Sequence, residues 1–135
     1  MSDYREAILV DEDLRARMIE GGQTLVDVCH GLSVEGGWWS GPDADHPLMV
    51  PTKLALIHSE VSEALEGHRK NLKDDHLPHH SMLAVELADA VIRIGDLAGR
   101  LRIPLGAVIL EKLLYNAQRA DHKKEAREGE QGKKF

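Results

Sequence analysis

Residues 81–101 read SMLAVELADAVIRIGDLAGRL, and this stretch decides the fold. Ser81 suits a helix cap. On a helical wheel the residues after it are apolar in nearly every direction: Leu83, Val85, Leu87, Ala88, Val91, Ile92, Ile94 and Leu97. The charged residues Glu86, Asp89, Arg93, Asp96 and Arg100 crowd into one narrow stripe. A helix apolar almost all round is a buried one, so that stripe is expected to line an interior site or an interface.

The segment before it is also helical. From Thr52 to Lys70, residues Leu54, Ile57, Val61, Ala64 and Leu65 fall on one face, and Leu56 extends it to flank Glu60. Glu60 and Glu63 on this helix, and Glu86 and Asp89 on the next, each have i,i+3 spacing, which places each pair on one helix face. Two such helices side by side would point four carboxylates at one spot. Converging carboxylates repel and are costly to bury, and a hard divalent cation relieves that cost. Mg²⁺ is expected, with Mn²⁺ as an alternative. For the stripe residues Arg93 and Asp96, one reading is an internal ion pair. The other is service to the site, Asp96 orienting a bound water.

Working outward, residues 71–80, NLKDDHLPHH, form a polar connection. Its histidines, His76, His79 and His80, lack a cysteine nearby and read as a solvated loop rather than a zinc site. Upstream, Ser2 or Asp3 caps a short helix over 3–10, and Asp11 or Asp13 a second that ends at Gly21-Gly22. Leu25, Val28, Cys29 and Leu32 predict an amphipathic helix over 23–33. Residues 34–51, VEGGWWSGPDADHPLMVP, predict a long loop. Pro104 opens a last helix to about 120, which puts Lys112, Asn116, Arg119 and Lys123 on one face. The expectation is one all-α domain over 1–124 and a charged, flexible tail over 125–135, EAREGEQGKKF.

The 135 residues are enough to bury a core, and the single cysteine, Cys29, forms no internal disulfide. No apolar run reaches the ~20 residues needed to span a bilayer. The N-terminal MSDYREAILVDEDLRAR has no signal-peptide apolar stretch, so a cytoplasmic protein is expected. A net charge of −6 argues against a nucleic-acid partner. An acidic chain that binds a polyanion needs cations as mediators, which agrees with the paired acids.

Glu60-x-x-Glu63, twenty-two residues, then Glu86-x-x-Asp89 resembles the MazG-like all-α nucleoside triphosphate pyrophosphohydrolases, whose signature is E-E-x-x-E followed by E-x-x-D. The surroundings agree in order over about 30–120: GWW at 37–39, LIHSEVSEALEGHRK at 56–70, ELADAVIRIGDLA at 86–98, and K-x-x-x-N-x-x-R at 112–119. One position departs, since Ser59 stands where the signature has its first glutamate. The dCTP-pyrophosphatase-like branch also lacks an acid there.

The resemblance implies a MazG-like helical bundle, and the buried stripe of 81–101 suggests a four-helix core completed by another subunit, so a homodimer or homotetramer is expected. The resemblance also implies cleavage of a (deoxy)nucleoside triphosphate between its α- and β-phosphates, to the monophosphate and pyrophosphate. Glu60, Glu63, Glu86 and Asp89 would hold Mg²⁺, with direct attack by water and Glu63 preferred as proton acceptor. Lys112, Asn116 and Arg119 would contact phosphate and sugar. Of Trp38 and Trp39, one reads as a core anchor and the other as a stacking surface for the base, with His30 approaching the same pocket or serving as a structural histidine. Two rival readings are a related hydrolase acting on a nucleoside diphosphate or a phosphoribosyl-nucleotide, and a non-catalytic module that binds metal and nucleotide.

Overall fold

Asp3 starts the first helix: its Oδ1 accepts the backbone N–H groups of Arg5 and Glu6 at 3.1 and 3.2 Å. In the same way Asp11 Oδ1 accepts from Leu14 at 3.0 Å, and Ser81 Oγ accepts from Ala84 at 3.2 Å. Each satisfies an N–H that a helix start otherwise leaves open. The computed structural model describes residues 3–119 and 123–133. Among them the helices are α1 (Tyr4–Val10), α2 (Glu12–Glu35), α3 (Met49–Lys70), α4 (Met82–Arg100), α5 (Leu105–Gln118) and α6 (Lys124–Glu128). No strand occurs among the described residues, only an isolated antiparallel bridge between Lys73 and Ser81. The protein is all-α. No described helix is long and apolar enough to cross a membrane.

Three boundaries differ from the sequence expectation. The two helices foreseen over 11–33 are one, because Gly21-Gly22 does not end α2. Gly22 is instead a point of close approach: a Cβ there would lie 2.7 Å from Gly106 Cα of α5. The loop before α3 is shorter than 34–51, since α3 begins at Met49 and takes Pro51 into its first turn, where no intrahelical N–H is required. At the other end, Lys123 does not continue the α5 face. That helix stops at Gln118, Arg119 is already extended, and Lys124–Glu128 in the supposed tail forms a turn of helix.

The chain divides into two compact units, residues up to Thr24 with those from Pro104 onward, and Leu25–Ile103. In the first, α1 packs on α5. The Arg5 guanidinium donates to the carbonyls of Ala117 at 2.5 Å and Arg119 at 3.4 Å, which closes the C-terminal end of α5. Gly106 lets α5 touch α2, since a Cβ would meet Ile19 O at 2.3 Å.

In the second unit α3 packs along α4. Gly67 meets Met82 while Glu60 meets Arg93, so the two helices run antiparallel. Asn71 ends α3 in the left-handed region at φ 51°, with its N–H to His68 O and the Leu72 N–H to Gly67 O. Asparagine is one of the few residues besides glycine that accepts this turn readily. On α4, Gly95 and Gly99 form a flat strip. Cβ atoms there would lie 3.1 Å from Cys29 Cβ and 2.4 Å from His30 Cβ. That strip lets the Leu25–Glu35 end of α2 lie close against α4.

Candidate functional site

The antiparallel pairing brings Glu60 and Glu63 of α3 to Glu86 of α4, with one oxygen of each within 4.8 Å of the others. Glu60 and Glu86 are 7% and 8% exposed, while Glu63 opens to solvent. Asp89, one turn along α4, is half-buried and lies outside this convergent trio, yet its charge reaches Glu86. The sequence expectation of four equivalent ligands therefore resolves into three converging carboxylates with a fourth beside them. Burial pushes the Glu86 carboxyl up to about 7. A hydrogen bond with Glu60 and the charges of Glu63, Glu60 and Asp89 add to that rise. Oxygen donors alone, two of them buried and mutually repelling, fit a hard divalent ion such as Mg²⁺ or Mn²⁺.

Arg93 Nε donates to Glu60 Oε1 from across the helix pair. This replaces the Arg93–Asp96 pair that the spacing allowed. Glu60 is a buried carboxylate in need of a cation, and Asp96 has other partners. Asp96 Oδ1 accepts the Trp39 indole N–H at 2.7 Å and stands 2.8 Å from His30 Nδ1, while Oδ2 accepts the Ser33 hydroxyl at 2.9 Å. It is thus a buried post for α2 and for the loop, rather than an orienter of metal-bound water. His30 belongs to this network, edge-on to Trp39 with centroids 6.1 Å apart. Burial and Asp96 push the Cys29 thiol up, which keeps it protonated.

The two tryptophans separate cleanly. Trp39 is 9% exposed, and Lys53 Nζ and the Arg100 guanidinium lie 4.6 and 5.1 Å from its ring centroid. Trp39 is the anchor. Trp38, one residue earlier, is 72% exposed. Gly37, at φ +82°, takes the left-handed turn just before the pair, a conformation that glycine accepts readily. Arg100 also pairs with Asp45, which ties the far side of the loop to α4. Trp38 borders a pocket of about 600 Å³ whose wall includes Ser33, Lys53, Leu56, Asp89 and Arg93. That volume suits a small-molecule ligand.

The α5 residues named from sequence lie in the other compact unit. There Lys112 Nζ and the Arg119 guanidinium lie 4.8 and 5.6 Å from the Tyr115 ring centroid. Asn116 borders a separate apolar cavity of about 420 Å³ with Tyr4, Ile8 and Leu113, its Oδ1 buried without a hydrogen-bond partner. The histidines of the 71–80 connection are exposed, with the His79 and His80 rings 4.2 Å apart.

Sequence reasoning passed over Lys53 and Ser33. The signal for Lys53 was present, since it precedes Glu60 by two helical turns and so shares its face. Ser33 carried none, because its role depends on α2 reaching Asp96. No family model, no curated protein and no solved structure matches this chain.

Proposed function

We propose that this chain is a Mg²⁺-dependent nucleoside triphosphate pyrophosphohydrolase of the MazG-like, all-α kind. It would act in the cytoplasm as a homodimer or homotetramer. The observation that carries the reading is the convergence of Glu60, Glu63 and Glu86 beside Asp89, next to a pocket bordered by an exposed tryptophan. The motif resemblance over residues 30–120 supplies the reaction class.

Glu60, Glu63 and Glu86, with Asp89 completing the set, would hold the ion. When bound, Mg²⁺ neutralises phosphate charge and makes a coordinated water more acidic. Little covalent chemistry is left for the protein, whose work is positioning and charge neutralisation. Water supplies the oxygen that forms a new P–O bond, the α–β bridge breaks, and pyrophosphate leaves. Glu63 would take the water's proton, since it is the solvent-open member of the trio. Trp38 offers its indole face to the base, and Leu56 closes the pocket on the apolar side.

The test is to incubate the purified protein with natural and damaged (deoxy)nucleoside triphosphates, Mg²⁺ or Mn²⁺ present, and to measure monophosphate and pyrophosphate. Metal-dependent release of both in equal amounts is the expected result. No release from any triphosphate, with nucleotide still bound, would leave the non-catalytic module as the better reading.

A further inference from the structure

A cation of the chain itself stands at the carboxylate trio, the Arg93 guanidinium, and its side chain also belongs to the wall of the neighbouring pocket. Arg93 sits on Glu60 through Nε, yet its side chain is 41% exposed and also borders the pocket that Trp38, Lys53 and Asp89 share. We infer that Arg93 is a phosphate-contact residue held on Glu60 while no divalent ion is bound, and freed into the pocket when an ion takes that carboxylate. The inference rests on the metal centre proposed above, but not on turnover.

Glu60 is buried, and a buried carboxylate must be paired, protonated or bound to a metal. Without metal, Arg93 serves as that partner. An ion held by Glu60, Glu63 and Glu86 supplies the positive charge instead and places a like charge beside the guanidinium. Arg93 then gains by leaving, and its side chain is partly exposed and on the pocket wall rather than enclosed.

What Arg93 would meet there is an anion. The guanidinium forks onto two oxygens of one phosphate, and with Nε released all its donors can be used. Lys53, on the same pocket wall, has no carboxylate partner among the described residues and lies over the Trp39 ring. Two cations on the wall of a pocket that Asp89 also borders suit a phosphate chain reaching from the basic wall toward the ion. This gives Arg93 opposite effects on two ligands, competing with metal and favouring phosphate. A permanent structural ion pair would keep the Arg93 guanidinium on Glu60 when the ion binds, and its ¹⁵Nε signal would not report release.

The experiment uses the full chain and two probes. Calorimetric titration with MnCl₂ alone should show Arg93→Gln binding Mn²⁺ about fivefold more tightly than wild type, since a competitor of ordinary ion-pair strength is gone. With Mn²⁺ saturating, imidodiphosphate should bind Arg93→Gln about tenfold more weakly, and Arg93→Lys should fall between. Should Arg93→Gln fail to fold, the ¹⁵Nε signal of Arg93 in wild type reads the same release. It should shift and exchange faster when Mg²⁺ is added without any anion. Equal or weaker Mn²⁺ binding by Arg93→Gln, unchanged imidodiphosphate binding, or an Arg93 signal indifferent to Mg²⁺ would overturn the inference. A wild type that binds no Mn²⁺ would remove the metal centre and this inference together. One that binds Mn²⁺ but cleaves no triphosphate would remove only the proposed activity.

Discussion

Trp39 donates its indole N–H to Asp96 at 2.7 Å, and this bond decides which of two adjacent tryptophans faces the pocket. The anchor also carries a cation near its ring from α3 and another from α4, through Lys53 and Arg100. Trp39→Phe removes the donor and leaves Asp96 short of one partner, at a cost of about 1.5–3 kcal/mol in chemical denaturation. Trp38→Ala touches little of the interior and should change stability by no more than about 0.5 kcal/mol. Its effect should fall on KM, raised roughly tenfold or more, the worth of stacking one base on an indole. Equal stability losses in the two variants would show that the loop is not anchored as described.

A divalent ion should stabilise the fold, because it binds carboxylates that converge only in the native state. At about one hundred times Kd the gain is roughly 2.7 kcal/mol, enough to raise Tm by several degrees in a chain of this size. A Tm indifferent to millimolar Mg²⁺ and Mn²⁺ would argue strongly against the centre. Glu63→Gln changes an exposed side chain and should fold normally while losing about a hundredfold or more in turnover. Asp89→Asn should lower turnover too, so near-normal rates in either variant would remove that residue from the site.

Much of this was legible in the chain. Long periodic apolar segments announced α3 and α4, and i,i+3 acid pairs on two successive helices announced a carboxylate cluster. What the sequence hid is what depends on a second element. Gly21-Gly22 reads locally as a helix stop, yet Gly22 serves the approach of α5 and the helix runs on. Arg93 and Asp96 look like partners at i,i+3 until α3 offers Arg93 the buried Glu60 and the loop before α3 offers Asp96 the buried Trp39. Which tryptophan turns inward rests on the Trp39–Asp96 bond, made between residues far apart in the chain that no local side-chain pattern links.

The Glu86 carboxyl gives the metal-free protein a characteristic pH dependence. Its folded value of about 7 lies above its ordinary 4.5, so between those limits the folded chain holds a proton that the unfolded chain has released. The stability this contributes is complete below pH 4.5 and is lost as pH rises through about 7. Glu86→Gln keeps the neutral shape at every pH. Without metal, the variant should match wild type near pH 5 and exceed it in stability near pH 8. Metal competes with the same proton, so wild-type Mn²⁺ affinity should rise with pH over this interval. A stability difference that stays flat from pH 5 to 8 would contradict the assignment.

The outer faces of α3 and α4 carry apolar rows. Leu87, Val91 and Ile94 recur at four- and three-residue steps along α4, and Val61 and Leu65 at four on α3. All of them are exposed in the single chain. Apolar rows of this kind on two packed helices have the spacing of a bundle core, and a symmetric second copy would cover them with the same rows. The proposed assembly would therefore be built on the very helices that carry Glu60, Glu63 and Glu86. Light scattering after gel filtration should give a multiple of the 15.0 kDa chain mass. Val91→Asp places a charge in the middle of the row, and should shift the mass toward one chain while leaving the helical circular dichroism intact. A wild type that runs as a stable single chain at micromolar concentration would show that these rows serve some purpose other than self-association.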